Sequence, residues 1–142
     1  MSAAMSGGTG SMMLRARLTT LEAVDQVCCE LRNRGLAQLP REERFAVELL
    51  VREALANALL HGSAAKEVWC EVERLECGVA VRVGDDGEGF DWRSWLHSAA
   101  DSKAESGRGV NIMRRYSSAL RFNEKGNLVE AIRIFSRGGE HG

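Results

Sequence analysis

A chain of 142 residues, 44% of them hydrophobic, is sufficient for one globular domain with a real core. Nineteen basic residues against twenty acidic ones leave a formal charge of −1, so no overall field draws the protein to nucleic acid. No apolar stretch is long enough to span a bilayer, and the first eleven residues, with neither Lys nor Arg nor a continuous apolar core, do not read as a signal peptide. In chain order, Met13 to Leu18 reads as a first strand. Thr20 is a suitable N-cap for a helix whose apolar stripe is Leu21, Val24, Val27, Cys28 and Leu31, and Gly35 stops it. Pro40, the chain's one proline, opens a long helix. Val68, Cys70 and Val72 alternate with charged or aromatic neighbours, as Val79, Val81 and Val83 do after a turn near Glu76 to Gly78, which predicts a hairpin. A second hairpin is expected from Ser117 to Asn123 and Leu128 to Phe135, joined around Lys125-Gly126-Asn127.

These elements predict one α+β domain: a two-layer sandwich with a mixed or antiparallel sheet and helices on one face. It is expected over 13–136, after a flexible segment over 1–12 and before a loose tail over 137–142. Cys28, Cys29, Cys70 and Cys77 form no C-x-x-C pair, and no histidine is spaced to complete a zinc site, so reduced and mostly packed thiols in a cytoplasmic protein are expected.

Three segments carry chemistry. In the long helix Glu53, Asn57 and His61 recur at spacings of four, drifting only about 40° per step, so a carboxylate, a carboxamide and an imidazole lie along one line. Leu49, Leu50, Val51, Ala54, Leu55, Ala58, Leu59 and Leu60 fill most other directions, which predicts a helix covered on nearly all sides. Polar groups there are costly unless something polar meets them. Asp85-Asp86-Gly87-Glu88-Gly89-Phe90 begins where the Val79–Val83 strand ends. Gly107-Arg108-Gly109 precedes Val110 to Tyr116, a good helix opener whose free amides suit a phosphate.

In this order and spacing the chain resembles the Bergerat-fold ATPases, the superfamily of gyrase, histidine kinases and MutL. Glu53-x-x-x-Asn57-x-x-x-His61-Gly62 looks like its N box, Asp85-x-Gly87-x-Gly89-Phe90 its first glycine box and Gly107-x-Gly109 its second. Within the superfamily the chain is most similar to the small anti-sigma factor serine/threonine kinases. The histidine-glycine ending of the N box, the brief span between glycine boxes and the length all fit them. Histidine kinases need a separate phosphoacceptor helix pair, and gyrase-like or MutL-like enzymes need a long transducer domain, for which 142 residues leave no room.

The resemblance implies ATP and Mg²⁺ as cofactors, a STAS-domain anti-anti-sigma protein as substrate, a sigma factor as second partner and a homodimer. It implies neither direct nucleic-acid contact nor membrane attachment. Asp85 would accept from the adenine amino group, where a guanine presents a carbonyl; alone, the segment is an ordinary Asp-Gly turn. Gly87 and Gly89 would let the backbone pass the base and Phe90 would pack below it. Asn57 would supply an oxygen ligand to Mg²⁺. Glu53 is either the catalytic base for the attacking hydroxyl or a buried partner of an arginine. Gly107 and Gly109 would lend amides to the phosphates, and Arg108 either adds charge there or points to solvent. His61 is either a satisfied helix-end histidine or a nucleotide contact. Residues 91–106, with Trp92, Trp95 and His97, fill the place of the nucleotide lid. The alternative function is an ATP-binding module that captures a regulator stoichiometrically with little phosphoryl transfer.

Overall fold

The computed structural model describes residues 10–61, 67–85, 108–124 and 127–135. Strand β1 (Ser11–Leu18) leads into α1 (Glu22–Asn33), a 3-10 turn (Leu36–Gln38) and the long α2 (Arg41–His61). The hairpin β2 (Val68–Leu75) and β3 (Gly78–Asp85) follows, then α3 (Arg108–Tyr116), β4 (Ala119–Phe122) and β5 (Leu128–Ile134). The strands form one sheet in the order β1-β2-β3-β5-β4, antiparallel at every pairing, with the helices on one face. The α+β expectation holds, and its mixed-or-antiparallel option resolves to antiparallel.

Register explains the two faces. Leu14, Val72, Val81, Ala131 and Leu120 are direct partners across all five strands, as are Ala16, Cys70, Val83, Val129 and Phe122 two positions along. Both rows lie under the helices, and the fully buried Val and Leu side chains among them each contribute about 1.5–3 kcal/mol. Between them, on the opposite face, runs Arg15, Glu71, Arg82, Glu130 and Arg121. Charge sign alternates strand by strand along this row. Arg82 sits 2.9 Å from Glu130 and 3.0 Å from Glu73, and Arg121 3.3 Å from Glu130. A slip by one residue would invert every strand's faces and set carboxylates against valines, so the row and the core specify the same register.

Local signals hold with small differences. The N-cap of α1 is Leu21 and not the expected Thr20, whose Oγ1 accepts from the Ala23 amide at 3.3 Å from one residue earlier, and Gly35 ends the α1 segment at a φ of 118°. Leu21 drops out of the predicted stripe: it is 46% exposed, whereas Val24, Val27, Cys28 and Leu31 are buried. β1 starts at Ser11, before the expected Met13, because a bulge between Met12 and Leu14 lets Ser11 and Met12 still pair with β2.

α2 departs further from expectation. Ala46, Val47, Leu50, Val51, Ala54 and Leu55 are buried against the sheet and neighbouring helices. Phe45 is 59% and Leu60 62% exposed, so the helix is not covered on nearly all sides. It rests on one sheet face between α1 and α3, leaving its outer side open, and leucine content alone does not reveal that direction.

One buried ion pair joins three elements. Arg133 stands in the helix-facing phase of β5, after Val129 and Ala131. Its Nε donates to Glu43 of α2 at 2.6 Å, and a terminal nitrogen donates to the Tyr116 carbonyl at the end of α3 at 2.9 Å. Glu43 is only 3% exposed. Removing Arg133 takes from the buried Glu43 carboxylate a guanidinium at 2.6 Å, and breaking such a pair is costly. Arg133→Ala should therefore lower unfolding stability by about 2–4 kcal/mol in urea titrations.

The thiols split evenly, against the expectation that most are packed: Cys28 and Cys70 are buried, Cys29 and Cys77 exposed. Burial pushes Cys28 up to about 11 and Cys70 up to about 12. Thiolate is the reactive form. At pH 8, iodoacetamide followed by peptide mass mapping should find Cys28 and Cys70 labelled at least about 100-fold more slowly than Cys29 and Cys77, the difference vanishing in denaturant.

Candidate functional site

Among the described residues the buried polar side chains are Glu43, Glu73, Asn57 and Asp85. Glu43 and Glu73 are accounted for by Arg133 and Arg82. The other two are residues singled out from sequence for ligand chemistry. Asn57, 7% exposed, lies in the second half of α2 one turn beyond Glu53, which is half-buried. Asp85, also 7% exposed, ends β3 in the same helix-facing phase as Val79, Val81 and Val83. It pairs with Val68, where the chain enters β2 soon after leaving α2, so the end of β3 and the end of α2 share one side of the domain.

The first turn of α3 meets this stripe. A Cβ built on Gly109 would lie 3.0 Å from Glu53 Oε1, tighter than ordinary packing. A side chain there would press on the Glu53 carboxylate, so glycine suits the close approach. The contact places the opening of α3, with amides lacking an intrahelical acceptor, beside the carboxylate. Arg108 begins α3 and His61 ends α2, but the side chains of both fall outside the described residues, as do Gly87, Gly89, Phe90, Gly107 and the 91–106 segment.

The structure adds a pair that sequence reasoning treated only as a turn. Asn127 brackets Asp85: its carbonyl accepts from the Asp85 amide at 3.0 Å, and its Nδ2 donates to the Asp85 carbonyl at 3.0 Å. Asn123 holds Asn127 in turn, donating through Nδ2 at 2.7 Å to its Oδ1 and accepting from the Asn127 and Leu128 amides. On the other side, Trp69 packs over Gly84 so closely that a Cβ there would overlap the indole. The backbone at Asp85 is thus fixed from both flanks. Two asparagines bounding a short hairpin loop, each able to substitute for a backbone turn partner, were the available signal.

A cradle that a Cβ would fill, a half-buried carboxylate at a helix opening and two buried polar side chains at one end of the domain fit a nucleotide. Residues 14–133 match the histidine kinase-like ATPase domain. The chain belongs to that family. No curated protein matches it. Membership makes this an ATP-binding domain of regulatory or kinase-like type, and among its described residues no helix is long and apolar enough to cross a membrane.

The asparagine bracket of this ATPase domain is testable apart from ligand chemistry. Asn127→Ala should cost about 1–2 kcal/mol in thermal denaturation by removing its side-chain hydrogen bonds to the Asp85 carbonyl and to Asn123. Asn123→Ala should cost a similar amount, and the double variant clearly less than the sum, because both act on one network.

Proposed function

We propose that this ATPase domain is a cytoplasmic protein serine/threonine kinase and anti-sigma factor. It holds a sigma factor and, as a homodimer, uses ATP and Mg²⁺ to phosphorylate a serine or threonine of a STAS-type anti-anti-sigma protein. Family membership supports the ATP-binding core of this reading. The observation that carries it further is the approach of Gly109 to Glu53, which sets a carboxylate beside a helix opening suited to phosphate.

In this reading the residues divide the work. Asp85 accepts from the adenine amino group, with Gly87, Gly89 and Phe90 around the base. Gly107, Gly109 and Arg108 would receive the phosphates, and Asn57 would offer its amide oxygen to Mg²⁺, which would offset phosphate charge there. Glu53 takes the proton of the substrate hydroxyl as its oxygen bonds to the γ-phosphorus; the bond to the bridging oxygen breaks and ADP leaves with the electron pair. Glu53 stands one turn from Asn57, so the base and the residue that would hold the metal share one continuous helix.

Glu53→Gln keeps shape and hydrogen bonding while removing the base. Single-turnover transfer from labelled ATP to the antagonist protein should fall by on the order of 10²–10⁴ with ATP binding retained. Unchanged transfer would refute the catalytic role. A joint fall in melting temperature and ATP affinity would make Glu53 a structural ion-pair partner instead. Tight complex formation without any transfer by the wild-type protein would replace the kinase with stoichiometric capture.

A further inference from the structure

The outer side of α2 carries a feature that the nucleotide site does not use. A groove of about 250 Å³ lies between the 3-10 turn after α1 and the first half of α2. Its lining includes buried Leu36, the arginines Arg32, Arg41 and Arg44, the carboxylate Glu48 and the ring of Phe45. At 100° per residue, Arg41, Arg44, Phe45 and Glu48 fall on one side of α2, while Glu43 faces away to Arg133.

The charges in the groove are unequal. Glu48 is committed: Arg32 grips it through two nitrogens, at 3.0 and 2.5 Å, and Arg52 donates to it at 3.2 Å. Burial pushes the Glu48 carboxyl up, but the hydrogen bonds and charges of Arg32 and Arg52 outweigh this and hold it below the usual carboxylate range. Arg52 is itself bonded to Asp25 at 2.7 Å. Arg41 and Arg44 form no ion pair among the described residues, so two cations face the groove without a carboxylate. This local excess stands out in a chain of net charge −1.

Beside those cations is Phe45, 59% exposed yet held in place by an edge-on contact with Tyr116, the ring centroids 6.0 Å apart. A fixed, exposed aromatic ring flanked by arginines is the composition of interface anchors. We infer that this groove is a docking site for an acidic peptide segment of a partner protein, with carboxylates meeting Arg41 and Arg44 and one aliphatic side chain packed on Phe45. The volume is below the roughly 300–1,000 Å³ of small-molecule sites and suits side chains of a chain crossing the surface. A long polyanion such as RNA is disfavoured because the protein as a whole is slightly acidic and the cationic excess is confined to this groove. None of the proposed nucleotide contacts lines the groove, so the inference stands or falls apart from the kinase reading.

An array of dodecamer peptides, each with one leucine between two pairs of Asp or Glu, and counterparts with Asn or Gln replacing each acid, tests this. The labelled full-length protein should be retained by acidic members, and retention should fall with added salt. The Arg41→Ser/Arg44→Ser double variant should bind them about 10-fold or more weakly, and Phe45→Ser should lose a comparable factor, with ATP-induced thermal stabilisation unchanged in both. Folding is thereby monitored in the same samples. Equal retention of acid and amide peptides, no retention of either, or wild-type affinity in the double variant would overturn the assignment. So would preferential binding of a single-stranded RNA oligomer or of anionic phosphatidylserine vesicles over the acidic peptides.

Discussion

The Arg133–Glu43 ion pair fixes how the two helices of the site meet. Arg133 reaches from the sheet into the helical layer and holds the first turns of α2 and the last carbonyls of α3 together. A guanidinium at a helix C-terminus also meets the negative end of that helix's dipole. At the opposite end of the pair, Gly109 of α3 touches Glu53 of α2. Between these contacts α2 advances about 15 Å, so the helices run antiparallel and are anchored twice. With α2 and α3 so constrained, the spacing between the Glu53 carboxylate and the opening amides of α3 is a property of packing rather than of loop conformation. That is the preorganisation a phosphate-handling site needs.

The sheet supplies the complementary constraint. Its helix-facing rows are apolar and its other face carries an alternating charge row, so the position of Asp85 at the end of β3 follows from the same register that builds the core. Asn127 and Trp69 then fix the backbone on either side of it. For the proposed adenine contact such pinning would matter, because one hydrogen bond discriminates between bases only if its acceptor is held in place when the wrong base arrives.

Much of this was legible in the residues. Both hairpins followed from alternation and turn chemistry, α1 from its stripe and its Gly35 stop, and the common line of Glu53 and Asn57 on one helix from spacing, while the ligand roles of these residues, Asp85 and Gly109 are what the resemblance implies. What escaped was non-local. Nothing in Leu128 to Ile134 indicates locally that β5 inserts between β3 and β4; that pairing is set by cross-strand partners such as Arg82 and Glu130, 48 positions apart. Arg133 was a visible anomaly, a charge in the apolar phase of a strand, but its partner Glu43 lies 90 positions earlier in another element. The exposed side of α2 was misjudged because Leu60 looks like a core residue in composition, and only packing decides which way it faces. Asn127 was read for its turn and not for its grip on Asp85, since the grip spans 42 positions.

α2 therefore serves three surfaces at once: the core with Val47, Leu50, Val51 and Leu55, the proposed nucleotide chemistry with Glu53 and Asn57, and the outward groove with Arg41, Arg44 and Phe45. Phe45 and Glu53 are about 12 Å apart along the axis of a continuous helix. A partner anchored at the groove must span that distance to present a hydroxyl near Glu53, roughly three or four residues of extended chain. Anchoring and phosphoryl transfer would then be set by different side chains on one rigid element. Affinity for a partner could change through Arg41 and Arg44 without disturbing the geometry at Glu53, and partners sharing the acidic anchor but differing in reach would divide into those that are only held and those that are also phosphorylated.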